Sequence, residues 1–138
     1  MNKIALSSMV WLLSCHAHAD IYVIGKSSLP ISTIPIETVR EIYLGSTTAL
    51  GSSLYLEPLT QEDKNEITES FNTKIVKKST MQMSAYWARI VFTGKGTPPK
   101  TLYDNEEVIA AVVTGNNTIG YVDTNELPAD VKILLTVQ

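Results

Sequence analysis

The side chains that most often perform catalysis lie together at one end of this chain. The only cysteine, Cys15, and the only histidines, His16 and His18, all fall within the first nineteen of its 138 residues. If that segment is removed, the rest of the chain has neither a thiol nor an imidazole. Ser-His-Asp and Cys-His catalysis are then excluded, because both need an imidazole base.

The N-terminal segment has the three parts of a secretory signal peptide. Lys3 supplies the positive region, residues 4–13 form an apolar run, and Ala17-His18-Ala19 is an Ala-x-Ala cleavage site. The apolar run is too short to span a bilayer as a helix. We therefore expect residues 1–19 to be a signal peptide that is cleaved after Ala19, and residues 20–138 to be one exported domain.

A lipid-attachment site is the alternative for this segment. Leu12-Leu13-Ser14-Cys15 loosely resembles one, and Cys15 would then be lipidated instead of removed. Leu13 is bulky at a position where lipid-attachment sites usually have a smaller residue. In addition, only the short segment of residues 15–20 would connect the lipid to the first strand. Both features favour cleavage after Ala19.

The composition of residues 20–138 restricts the remaining chemistry. A zinc site is not expected without His or Cys ligands, and a disulfide is impossible. Ten basic and fourteen acidic residues leave a net charge of −4, which argues against a nucleic-acid partner. We expect a single domain without a metal, a cofactor or catalytic residues, and hence not an enzyme.

Two other groups of residues could bind or react, and both have simpler structural interpretations. Gly94-Lys95-Gly96 follows a predicted helix instead of a strand, so it is typical of a helix end and not of a phosphate loop. Glu62, Asp63, Glu106 and Glu107 fall in predicted first turns of helices, where carboxylates complement the helix dipole. Spacing alone does not show that any two of them converge as an acid–base pair.

The remaining candidates are small hydroxyl residues next to strands. Ser27 and Ser28 follow the apolar run 21–24, and Thr60 follows the predicted strand 54–56. Backbone amides at a helix start can hold a small anion without any charged side chain. We therefore predict Ser27, Ser28 and Thr60 as the ligand-binding residues.

The apolar patterns predict the order β-α-β-α-α-α-β-β, a mixed α/β layer fold with helices packed on a short sheet. Three capping boxes are predicted, at Thr60 with Asp63, Ser79 with Gln82, and Asp104 with Glu107. The second of them opens a helix that we expect to bury one face in the core. That face consists of Met83, Tyr86, Trp87, Ile90 and Val91.

Four segments together resemble one known family. They are 21–24 (IYVI), 39–45 (VREIYLG), 86–100 (YWARIVFTGKGTPPK) and 119–122 (IGYV), and they are distributed over residues 21–123. The chain resembles small periplasmic proteins related to the phosphate ABC-transporter substrate-binding protein, which have the type 2 periplasmic-binding fold. The resemblance implies export to the periplasm, a single mixed-sheet lobe of that fold and a solute-binding ancestry.

The chain departs from that family in two respects. Full-length members have two lobes that close on a ligand, whereas 119 residues suffice for about one, so enclosure would need a second copy or another protein. Phosphate binders also carry a Ser-Gly-Thr-type loop where this chain has 59–63 (LTQED). Glu62 and Asp63 should oppose a phosphate dianion there.

Two functions follow from these observations. The first is a non-catalytic periplasmic solute-binding-like protein, an accessory or sensory component that binds a small anion weakly. The second is a protein-interaction module that regulates an inner-membrane sensor or transporter and has no small ligand. An exposed apolar patch near Tyr86, Tyr103 or Tyr121 would favour the second.

Overall fold

A five-stranded mixed sheet organises the protein. The computed structural model describes residues 19–46, 49–50 and 54–138. The strand order is β5-β4-β6-β1-β7. In that order the strands are Lys100–Leu102 (β5), Glu57–Gln61 (β4), Thr118–Val122 (β6), Ile21–Lys26 (β1) and Val131–Val137 (β7). A separate two-stranded hairpin pairs Ala49–Leu50 (β2) with Leu54–Tyr55 (β3).

The predicted signal peptide and Cys15 lie outside the described residues, apart from Ala19. Cleavage after Ala19 and export of residues 20–138 therefore stay predictions.

The direction of β1 determines which loops lie at the same edge of the sheet. β1 runs antiparallel to both of its neighbours, β6 and β7. β4 runs parallel to β5 and to β6. The carboxyl ends of β4, β5 and β6 therefore lie at one edge, and the carboxyl end of β1 lies at the opposite edge.

Helices cover both faces of this sheet, as the mixed α/β prediction required. On one face, Ile21 and Val23 of β1 pack with the helix Ile36–Tyr43 (α1) and the helix Glu66–Phe71 (α2). On the other face, Ile24 packs with the helix Asn105–Thr114 (α4). The two-residue period of β1 sends its apolar side chains to both cores.

α2 continues directly into a π-helical turn, Asn72–Val76, which ends at Lys77 with a left-handed φ of 67°. The four-residue spacing of Ile67, Phe71 and Ile75 predicts that they form one stripe of a helix, and all three are buried along this segment. The helix Thr80–Phe92 (α3) follows, and the predicted capping box at its start is complete: Ser79 and Gln82 each accept a hydrogen bond from the other's backbone amide.

The predicted capping box at Thr60 is wrong. Thr60 lies inside β4, because the strand continues to Gln61, and α2 begins only at Glu66 with Asn65 before it. The predicted strand 54–56 ends before Pro58, but Pro58 is tolerated at the start of β4. Glu57 already donates its amide hydrogen to the Asn117 carbonyl, and pairing with β5 starts only at Leu59, so no partner requires an N–H at Pro58.

The strand β5 was not predicted. Its three residues directly follow Pro98 and Pro99, and neither its length nor its composition distinguishes it from a loop. Its pairing with β4 is a long-range contact, so only the tertiary structure specifies it.

The prediction that α3 is a core helix is largely wrong. Of its predicted inner face only Met83 is buried, while Tyr86, Trp87 and Ile90 are half-buried and Val91 is 52% exposed. α3 packs against the rim of the lobe because Tyr86 and Trp87 reach the carboxyl-terminal end of α1, away from the sheet.

None of the helices in the part of the chain that the structure describes is both long and apolar enough to cross a membrane. The described residues also contain no group of three or more His, Cys, Asp or Glu side chains that could hold a metal ion.

Candidate functional site

A cavity of about 200 Å³ lies between α3 and the carboxyl ends of β4 and β5. In open α/β sheets, ligands bind outside the carboxyl ends of the strands, where loops and helix starts converge. The polar part of the wall consists of Thr60, Asp63, Asn72, Ser84 and Thr101, and the apolar part of Tyr43, Met83, Trp87, Pro98 and Pro99. Many hydrogen-bonding groups beside aromatic and apolar surface are typical of a small-ligand site.

One wall of this cavity is held in place by the hydroxyl group of Tyr121. Tyr121 is fully buried on β6, and its hydroxyl oxygen lies 2.6 Å from the hydroxyl of Thr60. It accepts a hydrogen bond from the Gln61 amide at 3.0 Å and donates to Thr68 at 3.3 Å. Burial raises the pKa of Tyr121, which keeps the phenol neutral and able to donate.

Three aromatic rings form the floor beneath this hydroxyl network. The Phe71 ring stacks on Tyr121 with centroids 3.9 Å apart, and Tyr43 meets Phe71 edge to face at 4.6 Å. The Tyr43 hydroxyl donates to the Leu59 carbonyl at 2.7 Å, and burial raises the pKa of Tyr43 well above its usual range. The cavity floor is therefore rigid, because each polar tip has a partner and each ring is packed.

A second polar network covers the neighbouring loops. The Gln61 side-chain amide donates to Asn105 at 2.9 Å and to the Tyr121 carbonyl at 3.0 Å. The Asn65 amide donates to the Gln61 side-chain oxygen at 3.1 Å and to the Tyr103 carbonyl at 2.8 Å. Asn65 therefore ties the loops after β4 and β5 together and does not cap α2 with its side chain.

Asp63 is the only charged side chain among the described residues that line the cavity. The Ser84 hydroxyl on α3 donates a hydrogen bond to one Asp63 carboxylate oxygen at 3.5 Å, so the two side chains meet at the cavity wall. Glu62 points elsewhere and pairs with Lys64 at 3.1 Å on the surface. A ligand here would meet one carboxylate and, within the described wall, no cationic side chain, which favours hydrogen-bond donors over a dianion.

Trp87 forms the wall at the α3 side. A Cβ added to Gly45 would lie 2.8 Å from the edge of its ring, and one added to Gly96 would lie 3.7 Å away. Gly45 follows the end of α1 with a φ of +72°, so this position needs glycine both for its backbone and for the ring. The indole N–H of Trp87 is buried and has no hydrogen-bond partner among the described residues.

The structure does not bring the three predicted ligand residues together. Thr60 lines the cavity. Ser27 and Ser28 are exposed and follow β1, whose carboxyl end lies at the opposite edge of the sheet. Ser27 instead donates its amide hydrogen to the Asp130 carbonyl at 2.7 Å, in the loop before β7.

The other sequence motifs have structural roles in this region. Gly94 has a φ of +69° just after α3, and the amides of Gly94 and Lys95 bond to the carbonyls of Val91 and Ile90. The Gly-Lys-Gly segment is therefore a helix end, as predicted. Asp104 accepts a hydrogen bond from the Glu107 amide at 2.9 Å, but the Glu107 side chain accepts from Tyr103 and not from Asp104, so this predicted box is half formed.

The sequence patterns do not indicate the cavity-lining residues Asn72, Ser84 and Thr101, or Gln61 and Tyr121, which support the wall. The segment 119–122 indicates a strand and a family-like segment, and Gln61 and Ser84 fall in predicted helices. A polar Gln beside a strand end and a Tyr inside an all-apolar strand are weak signals of a buried network, because a buried amide or phenol needs partners.

Comparison with solved structures identifies the architecture. A phosphate ABC-transporter substrate-binding protein from Clostridium perfringens, solved with bound phosphate, matches with a TM-score of 0.66 and 16% identity over 84% of this chain and 45% of that chain. The fold is that of a type 2 periplasmic-binding lobe. An ABC-type phosphate transport receptor from Vibrio cholerae matches with a TM-score of 0.65 and 14% identity over 84% and 46%.

A third structure of this group, PstS from Borrelia burgdorferi, matches with a TM-score of 0.57 and 15% identity, over 75% of this chain and 41% of that chain. The chain thus spans less than half the length of the binding proteins whose fold it shares. No protein-family model and no curated protein matches the sequence. The resemblance seen in segments 21–24, 39–45, 86–100 and 119–122 is confirmed at the level of the fold.

Proposed function

We propose that the protein is a non-catalytic periplasmic solute-binding-like protein that acts as an accessory or sensory component beside a membrane transporter or sensor. One observation carries this proposal: the cavity between α3 and the carboxyl ends of β4 and β5, in a lobe with the fold of phosphate-binding proteins. The cavity contains groups that can bind a solute, and the described residues of its wall include neither a nucleophilic thiol nor an imidazole.

The chemistry of the cavity wall defines the proposed solute. Thr60, Ser84 and Thr101 supply hydroxyl groups that donate or accept, and Asp63 supplies a carboxylate that only accepts. A small polar solute that donates a hydrogen bond to Asp63 fits this set. A fully ionised anion such as the phosphate dianion would bind weakly, because it faces Asp63 without a compensating cation in the described wall.

Ser27 and Ser28 are not part of this proposed site. The sequence predicts them as anion-binding residues together with Thr60. Because they lie at the opposite edge of the sheet, they cannot contact the same ligand as Thr60. Thr60 is the one predicted residue that contributes to the proposed solute site.

A second function, a protein-interaction module, is favoured by a different observation. Met81 and Phe92 are 82% and 92% exposed on α3, in the same helix as the half-buried Tyr86. Exposed apolar side chains of this kind mark an interaction surface. The two functions are compatible, because Met81 and Phe92 lie on the side of α3 opposite Met83, which lines the solute cavity.

Titration of the single tryptophan in residues 20–138 tests the solute site. Trp87 fluorescence, with calorimetry as a second readout, would be followed while inorganic phosphate, sulfate, ammonium, a polyol and an amino acid are added at neutral pH. We expect saturable binding of a solute with hydrogen-bond donors and weaker binding of phosphate. Ser84→Phe, which adds a ring at the cavity wall, should abolish that binding.

The matched control is Ala85→Phe, which adds the same ring to the next residue of α3, on its outward face. It should leave solute binding unchanged. Binding of no solute in this panel by the folded protein would overturn the proposal. Tight phosphate binding that survives Ser84→Phe would also overturn it, because the anion would then occupy another site.

A further inference from the structure

α3 has a second apolar face, directed away from the lobe. Successive residues of an α-helix are rotated by about 100°, so Met81, Ala85, Ala88 and Phe92 form one stripe on the side opposite the buried Met83. All four are exposed, with Met81 at 82% and Phe92 at 92%. We call these four residues the α3 outer stripe. A helix that is apolar on two opposite faces is normally buried on both.

The order of side-chain sizes along the outer stripe is symmetric. A bulky residue stands at each end, Met81 and Phe92, and two alanines lie between them at spacings of four, three and four. If a second α3 runs antiparallel across this face, Met81 meets Phe92 of the other copy and Ala85 meets Ala88. The alanines let the two helices approach closely, and the bulky ends fill the space on either side.

This self-complementary pattern is what a two-fold interface requires, because the same patch must fit itself. We propose that the outer stripe is a homodimer interface in which the α3 helices of two copies of this chain pack antiparallel, with the two-fold axis between Ala85 and Ala88. This proposal stands independently of the solute proposed for the cavity.

The surface area agrees with a weak dimer. In such a dimer, each copy would cover the outer stripe of the other and the half-exposed Val91 beside it. The total area buried on both copies would be roughly 1,000 Å². That value is at the lower limit for a specific interface. We therefore expect a dimer that dissociates on dilution, with a dissociation constant on the order of micromolar to tens of micromolar.

The charges within α3 favour a second copy over a lipid surface. The outer stripe contains no charged side chain, and Arg89 is the only cation within the helix sequence 80–92. Helices that lie on membranes carry several Lys or Arg residues on the polar face. The net charge of −4 for residues 20–138 also opposes an anionic bilayer.

Sedimentation equilibrium from about 1 to 500 μM tests the association. Phe92→Glu places a charge at each end of the proposed interface and should weaken dimerisation roughly thirtyfold or more. The control is Tyr55→Glu, which makes the same kind of change at a 62% exposed aromatic residue on β3, outside α3, and should leave dimerisation unchanged. Circular dichroism checks that both variants are folded.

Cysteine pairing tests the antiparallel geometry. In a Cys15→Ser background, Ala85→Cys and Ala88→Cys chains with different tags are mixed and oxidised. The antiparallel arrangement places position 85 of one copy opposite position 88 of the other, whereas identical positions are offset by about 4.5 Å along the axis. The mixed disulfide should therefore form at least about tenfold faster than either homodisulfide.

Three outcomes would overturn the proposal. The first is a monomer throughout the concentration range. The second is dimerisation that Phe92→Glu does not weaken, and the third is equal rates for mixed and identical disulfides. Binding of the monomer to vesicles of phosphatidylglycerol and phosphatidylethanolamine, lost in Phe92→Glu, would instead assign the outer stripe to a membrane.

Discussion

The hydroxyl oxygens of Thr60 and Tyr121 lie 2.6 Å apart at the base of the cavity between α3 and the sheet. This contact joins β4 to β6 through side chains, next to the point where Gln61 donates its amide hydrogen to the same phenol. Thr60 therefore supports the cavity wall through Tyr121 instead of starting a helix.

The first prediction tests this network with Tyr121→Phe. The variant keeps the stacked ring but leaves the Gln61 amide and the two threonine hydroxyls without this partner. Because Tyr121 is fully buried, we expect a loss of about 1–3 kcal/mol in the free energy of unfolding. Urea denaturation followed by far-UV circular dichroism measures it.

The control for this variant is Tyr103→Phe. Tyr103 is 56% exposed, so removal of its hydroxyl should change stability by no more than about 0.5 kcal/mol. Equal effects for the two variants would show that the network at Tyr121 does not contribute to stability.

The second prediction concerns Gly45 and the Trp87 ring. Gly45→Ala adds a methyl group 2.8 Å from the ring at a backbone φ of +72°. We expect it to destabilise the protein through both the left-handed backbone, by about 1–2 kcal/mol, and the clash, by roughly a further 1–3 kcal/mol. The emission maximum of Trp87 should shift because the ring must move.

Gly94→Ala separates these two contributions. Gly94 has a similar φ of +69°, but nothing among the described residues lies within 4 Å of an added Cβ. It should therefore show the backbone penalty alone and leave the Trp87 spectrum unchanged. If both variants have the same stability, the packing of Trp87 against Gly45 is looser than the structure indicates.

The third prediction tests the role of Asp63 in anion selection. Asp63→Asn removes the one charge from the described cavity wall, so inorganic phosphate should bind more tightly. The gain should be up to roughly fivefold, because solvent partly screens a charge at an open cavity. Isothermal titration calorimetry at low ionic strength measures the change, because salt screens it further.

Glu62→Gln is the matched control, since it makes the same change of charge at the adjacent residue. Glu62 pairs with Lys64 on the surface and does not line the cavity. Its effect on phosphate binding should be small. An equal gain from both variants would mean that net charge, and not the position of Asp63, controls anion binding.

The fourth prediction is a pH dependence at the junction of α2 and α3. The Glu69 carboxylate accepts a hydrogen bond from the Thr80 amide at 2.9 Å. Hydrogen bonding to the Thr80 side chain, and second to its amide, lowers the pKa of Glu69 below its usual value of 4.5. Because the pKa of Glu69 is lower in the folded state, its ionised form stabilises the protein at pH values above the pKa of the unfolded state. That contribution is lost as the pH falls below 4.5 through the lowered pKa.

Glu69→Gln should therefore lower the melting temperature near neutral pH, and the difference from the parent protein should shrink as the pH falls from about 5 to 3. Thermal melts over that range test it. Glu66→Gln, which makes the same change at an exposed position in the first turn of the same helix, is the comparison. A constant difference between Glu69→Gln and the parent at every pH would contradict the prediction.

Local sequence patterns determined the parts of the fold that depend on neighbours along the chain. The capping box at Ser79 with Gln82, the helix end at Gly94 and the buried stripe of Ile67, Phe71 and Ile75 all formed as predicted. Capping and helical periodicity act over three or four residues, so the sequence encodes them directly. The family resemblance likewise depended on local segments and indicated the correct fold.

Only the tertiary structure decided how those elements meet. The antiparallel direction of β1 separates Ser27 from Thr60, and the pairing of β4 with β5 and β6 turns a predicted helix cap into part of a strand. The apolar spacing of α3 predicted the side of the helix that contacts the lobe, but not that most of this side would be only half-buried. Trp87 packs against Gly45 at the rim of the lobe, and this long-range contact, which no local spacing encodes, sets the depth of the helix.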